Sequence, residues 1–168
     1  IKKILNYKSV WRNCLVAIGC GAAQSSGPAS STSSIVAVGN VSLNALTTGT
    51  KNTAIGDGSG YETTIGRGNF FGGYSAGRQN VTGCDNTFAG ARAGCGNCCG
   101  SRNTFVGAYA GRTACNAQGN VVVGSHSANN AKIGYNNTIL GSCIAEGGSF
   151  TAGNNIFIGH CAAASQET

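Results

Sequence analysis

The chain has 168 residues, 28 of them glycine, and a formal net charge of +6 with only 10% charged residues. That length fits one domain. So few charges exclude an ordinary solvated globular surface, the glycine content disfavours helix, and no apolar run is long enough for a membrane-spanning helix.

Residues 1–12 (Ile-Lys-Lys-Ile-Leu-Asn-Tyr-Lys-Ser-Val-Trp-Arg) stand apart from the rest of the chain. They read as a leader or the end of a preceding module, with Trp11 placed to plug the first coil of a repeat array, since end coils need capping. The tail from Ala162 to Thr168 fades without a clear cap, and the chain reads as a piece of something longer.

From residue 13 to 168 a glycine closes each of nine similar units: Gly19, Gly39, Gly56, Gly73, Gly90, Gly107, Gly124, Gly141 and Gly159. Six of the eight intervals are seventeen residues. The first is twenty, with the excess expected in Gln24 to Ser34; the last is eighteen, with the excess expected at Gly153-Asn154-Asn155. Self-similarity at a fixed period marks a repeat architecture.

The columns of this register carry the physics. Four residues before the glycine stand Asn52, Asn69, Asn86, Asn103, Asn120, Asn137 and Asn155. Stacked asparagines predict an amide ladder. Three before are Val16, Val36, Thr53, Phe70, Thr87, Thr104, Val121, Thr138 and Ile156, and one before are mostly Ile, Val or Leu. Short β-branched and aromatic runs punctuated by Gly and Asn read as strands and turns. A unit this short cannot bury its own apolar side, so the expected fold is all-β: a parallel β-solenoid or β-roll of about nine 17-residue coils, about 4.8 Å per coil.

Two before the glycine stand Ala17, Ala37, Ala54, Phe71, Phe88, Phe105, Val122, Ile139 and Phe157. Side chains alternate across a strand. If the flanking Val/Thr and Ile/Val columns face inward, this column faces outward as an apolar stripe that needs a partner. An identical rod is the simplest partner. The expectation is therefore a homotrimer with Phe71, Phe88, Phe105, Val122, Ile139 and Phe157 at its interface, broken by Phe88→Asp or Phe105→Asp. The alternative is a wide solenoid whose stripe packs within its own chain.

Chemistry has few candidates. The nine cysteines cannot all pair within the chain. Cys95-Gly96-Asn97-Cys98-Cys99 holds a C-x-x-C without a second half. Cys98 with Cys115, and Cys143 with Cys161, share columns. Free stacked thiols, disulfides between rungs or subunits, and a metal site such as His126–Cys143–Cys161 all stay open. The five acids, Asp57, Glu62, Asp85, Glu146 and Glu167, offer no clear acid–base pair. No catalytic residue, cofactor or metal is assigned. Scattered Lys2, Lys3, Lys8, Arg67, Arg78, Arg92, Arg102 and Arg112 give no basic run for nucleic acid, though weak attraction to an anionic surface or glycan is conceivable.

The units Asn52-Thr53-Ala54-Ile55-Gly56, Asn103-Thr104-Phe105-Val106-Gly107-Ala108-Tyr109-Ala110-Gly111 and Asn137-Thr138-Ile139-Leu140-Gly141 resemble the Asn-Thr-x-Ile-Gly-x-x-Ala-Gly repeats of bacteriophage tail fibres, the Cys-containing kind being similar to cyanophage fibres. Leu15-Val16-Ala17-Ile18-Gly19 and Ile35-Val36-Ala37-Val38-Gly39 are similar to repeats in the heads of trimeric autotransporter adhesins. The resemblance implies a homotrimeric rod on a virion surface, or on a bacterial cell surface. Its partners would be its own copies and a host glycan or protein, with no nucleic acid and no membrane insertion. The expected function is a structural, non-enzymatic fibre segment contributing to host attachment. Two other classes stand beside it. One is an ice-binding solenoid using Thr53, Thr87, Thr104 and Thr138, a column interrupted by Phe70 and Val121 and expected to face inward. The other is a polysaccharide-cleaving spike, for which clustered acids are wanting.

Overall fold

The computed structural model describes residues 15–25, 34–147 and 149–161. The leader at 1–12 with Trp11, the tail from 162 and most of the first-unit insertion lie outside the described residues.

Among the described residues eleven short strands form: β1 (Leu15–Ile18), β2 (Ile35–Val38), β3 (Thr53–Ile55), β4 (Phe70–Gly72), β5 (Thr87–Ala89), β6 (Thr104–Val106), β7 (Val121–Val123), β8 (Lys132–Ile133), β9 (Thr138–Leu140), β10 (Ser149–Phe150) and β11 (Ile156–Ile158). Nine of them pair in parallel in the order β1-β2-β3-β4-β5-β6-β7-β9-β11. Each strand pairs with the strands of the units before and after it, so the chain is a β-solenoid. Nine strands in one sheet enclose eight full turns rather than nine. Partners are the residues of one sequence column: Thr104 lies beside Val121, Phe105 beside Val122 and Val106 beside Val123.

The other wall of the coil is looser. Backbone bonds run from Thr47 N to Thr64 O, from Thr64 N to Val81 O and from Val81 N to Cys98 O. They become regular strands only at β8 and β10, which pair as Lys132 with Ser149 and Ile133 with Phe150. That pairing still keeps the seventeen-residue step, whereas Asn136 already bonds Asn154 at a step of eighteen. The extra residue of the last unit therefore lies between Phe150 and Asn154, a stretch that meets the expected place at Gly153.

The closing glycine is needed for close approach. Gly107 has φ 128°, and a Cβ built on it would stand 2.7 Å from the carbonyl carbon of Gly124. Two residues later the backbone enters the left-handed region with ordinary residues: Arg92 (φ 56°), Tyr109 (φ 60°), His126 (φ 58°) and Cys143 (φ 55°). Such a conformation costs roughly 1–2 kcal/mol per non-glycine residue. Repetition in turn after turn makes this corner a column of its own.

The interior overturns one sequence expectation. Phe71, Phe88, Phe105, Val122 and Ile139 are fully buried within the single chain, and Phe157 packs part-buried against the same core. They do not form an outward stripe. The reason is parity: the Asn column stands two residues before the Ala/Phe column, so alternation puts both on one side of the strand. The Asn ladder needs shelter from water, and it takes the Phe column inside with it. The rings stack along the axis, with centroids 5.6 Å apart for Phe71 and Phe88 and 4.9 Å for Phe88 and Phe105. The coil admits them because Gly77, Gly94 and Gly111 face them.

The amides form a buried rail beside the rings. Asn103 Nδ2 donates to Asn86 Oδ1 at 3.1 Å and to the Ala117 carbonyl at 2.7 Å. Its Oδ1 accepts from the backbone N–H of Asn120 at 3.0 Å and from Asn120 Nδ2 at 3.1 Å. The same pattern runs through Asn52, Asn69, Asn86, Asn120 and Asn137 to Asn155. Most of these amides also tie their strand to the turn that leads into the next one, through a backbone carbonyl there.

Candidate functional surfaces

Three surfaces run along the rod. The first is the outer face of the main sheet. With the Phe column inside, the flanking columns point to solvent. Val16, Ile18, Ile55, Phe70, Val106, Val121, Val123, Leu140, Ile156 and Ile158 are exposed large apolar side chains, Ile156 and Ile158 reaching 73% and 68%. Single exposed hydrophobics are ordinary, but a contiguous strip of them is not. Thr87 is exposed on this face, and Thr53, Thr104 and Thr138 are half-exposed. The sequence pattern suggests an inward threonine column; it faces outward, for the same reason of parity.

The second is a set of thiols spread over several columns, with Cys98 and Cys115 sharing one and Cys143 and Cys161 another. All eight described cysteines are free. Cys98 Sγ stands 3.1 Å from Cys99 Sγ. Hydrogen bonding to Cys99 pushes the Cys98 thiol up to about 11, with burial and Cys115 adding to it. The same bond lowers Cys99 below the ordinary thiol value. At the far end Cys161 Sγ lies 3.3 Å from His160 Nε2. No group of three or more His, Cys, Asp or Glu side chains gathers for a metal ion among the described residues. His126 instead bonds Ser125 Oγ through Nδ1 at 2.8 Å. Within the single chain His126, Cys143 and Cys161 do not gather as a metal group.

The third surface is a ladder of rings and guanidiniums at the corner after each strand. Arg78 lies over Tyr61 at 5.3 Å, Arg92 over Tyr74 at 5.7 Å and Tyr109 at 5.8 Å, and Arg112 over Tyr109 at 5.8 Å. The His126 ring continues the stack on Tyr109 at 4.9 Å. Cys95 sits among the arginines; burial pushes its thiol up, and Arg78, Arg112 and Arg92 oppose that. These residues look scattered in the linear chain, and only the seventeen-residue step aligns them. A reading of the charges as scattered misses them because neighbouring columns interleave here: Tyr74 and Arg92 stand one and two residues after a closing glycine, and Tyr61, Arg78 and Arg112 stand five after one.

A second inner ladder is also hidden from that reading. Asn97 Nδ2 donates to Asn80 Oδ1 at 3.1 Å, and both amides bond the glycine three residues on. Ala114 occupies the next rung and has no amide to offer. Asn97 Oδ1 is accordingly buried without a partner. Two asparagines seventeen apart were the available signal.

No family model, curated protein or solved structure matches the chain. Its function has to be read from these surfaces.

Proposed function

We propose that the chain is a segment of a structural, non-enzymatic fibre: the shaft of a bacteriophage tail fibre on the virion surface, contributing to host attachment and assembled as a homotrimer. One observation carries the reading. The main sheet is apolar on both faces, and the chain's own core covers only the inner one. Strands apolar on both faces belong in structures that bury both. A parallel rod offers the same face along its whole length, so identical copies in register can cover it all at once. The interface is then the outward Val, Ile and Leu side chains, not the phenylalanines. A bacterial trimeric adhesin head uses the same architecture and is the alternative that the first two units support.

The test is the mass of the native assembly by sedimentation equilibrium, with and without reductant. Three copies, reduced or oxidised, support the reading; a single chain refutes it. A second reading has one observation of its own. The outward Thr53, Thr87, Thr104 and Thr138 stand on a regular lattice of rungs, as an ice-binding face requires. Thermal hysteresis from a single-chain species would favour that reading over a fibre.

A further inference from the structure

Turns four, five and six each place one guanidinium on the same edge of the rod: Arg78, Arg92 and Arg112. Successive rungs of a parallel solenoid are about 4.8 Å apart. The three cations thus come one per rung along this edge, with Arg92 three residues out of the column that Arg78 and Arg112 share. Each lies over a tyrosine ring, and none has a carboxylate partner among the described residues. Arg112 Nη1 donates to Asn130 Oδ1 at 3.3 Å and Arg92 hydrogen-bonds Tyr74; the remaining in-plane N–H donors of the three guanidiniums suit a carboxylate or sulfate. The rings also hold the side chains in place, so less freedom is lost on binding. Tyr74 is 51% exposed and offers an apolar face to a sugar ring beside the Arg92 cation.

The flanks bound the row. Asp57 and Glu62 stand one turn before it, and Glu146 stands two turns beyond it, where it accepts a bond from Asn129 Nδ2 at 3.2 Å. The positive stretch is therefore a short, bounded segment of the edge. Nucleic acid is a poorer fit. Single strands bind basic grooves by stacking bases on open aromatic faces, and Tyr109, the central ring, is covered by Arg92, Arg112 and His126.

We propose that the Tyr61–Arg78–Tyr74–Arg92–Tyr109–Arg112 ladder is a binding site for an extended acidic glycan, one bearing several carboxylates or sulfates. It deepens the attachment reading by naming the ligand class. It does not depend on the number of copies, so a failure here and a failure of the mass experiment are separable.

The experiment measures binding of the full chain by fluorescence anisotropy to labelled polygalacturonate, sulfated dextran, neutral dextran and single-stranded DNA, at low and high salt. Expected is binding to one or both acidic glycans, weakened by salt, and none to neutral dextran. Arg92→Gln lowers the affinity about fivefold, the scale of one exposed ion pair. Arg67→Gln and Arg102→Gln remove the same charge from other columns and leave it within about twofold on the same scale. Glu62→Gln tightens it. Unchanged thermal melting shows that each variant is folded. Three results would overturn the proposal: equal losses in Arg92→Gln and Arg102→Gln, which mean net charge alone; no preference for acidic over neutral polymer; or tighter binding to DNA than to either glycan.

Discussion

Gly111 lies against the ring of Phe105, so that a Cβ on Gly111 would stand 2.6 Å from Cδ2 and Cε2 of the ring. The same pairing holds between Gly77 and Phe71 and between Gly94 and Phe88. In one turn a small strand residue goes with a large turn residue: Ala37 and Leu43, both fully buried; in the next, buried Ala54 has only Gly60 six residues on, and Leu43 and Phe71 of the neighbouring turns fill the space at Gly60. Where the strand residue is intermediate, so is its partner: Val122 with Ala128 and Ile139 with Ala145. Positions six residues apart share the filling with each other and, at Gly60, with the neighbouring turns.

This sharing predicts a compensating pair. Phe105→Ala alone opens a cavity and costs about 3–5 kcal/mol. Gly111→Leu alone overpacks the coil and costs about 1–3 kcal/mol or more. The double variant copies the Ala37–Leu43 turn, where Leu43 already adopts a left-handed backbone at φ 46°. Urea unfolding should place the double variant well above the sum of the two losses. A double variant as unstable as that sum refutes shared filling.

The amide rail predicts a position-dependent cost. Asn103→Ala strands the N–H of Asn120 and the carbonyl of Ala117 in the buried interior, at about 2–4 kcal/mol in all. Asn155→Ala, at the half-buried end of the rail, removes bonds from groups that water can reach, and costs about 1 kcal/mol. Chemical denaturation of the two variants side by side gives the comparison. Equal costs would mean that the rail does not depend on burial.

The two faces of the strands separate stability from assembly. Val123→Asp on the outer face is expected to lower the assembly mass while single chains keep a β-rich circular dichroism spectrum. Phe105→Asp places a charge inside the coil and is expected to unfold the chain itself. A Phe105→Asp protein that stays folded and merely dissociates would restore the phenylalanines to an intersubunit role.

Thiol reactivity follows from the Cys98–Cys99 hydrogen bond. The thiolate is the reactive form. Cys99 is lowered and Cys98 is pushed to about 11. As pH rises from neutral, Cys99 ionises first, and Cys98 stays protonated until the pH nears about 11. Alkylation followed by peptide mass mapping should label Cys99 well before Cys98. In Cys99→Ser the main cause of the upward shift is gone, and Cys98 should be labelled at lower pH than in the parent chain. Equal labelling of both thiols in the parent chain contradicts this ordering.

Much of the architecture follows from the chain alone. A glycine every seventeen residues, kept in phase past an insertion, dictates stacked coils, because no short unit can bury its own apolar side. The strand columns and their pairing partners are the sequence register read off directly, as at Thr104 and Val121. Inside and outside were also encoded, though less openly. Asn103 and Phe105 share parity, and Phe105 is matched by Gly111 six residues on. Only the folded coil decided the side, because the space opposite a strand depends on where the turn returns, and the period alone does not fix that. The Tyr–Arg ladder is tertiary in the same sense. Tyr74, Arg92 and Arg112 belong to different columns, and they meet because the left-handed corner after each closing glycine brings those columns to one edge of the rod.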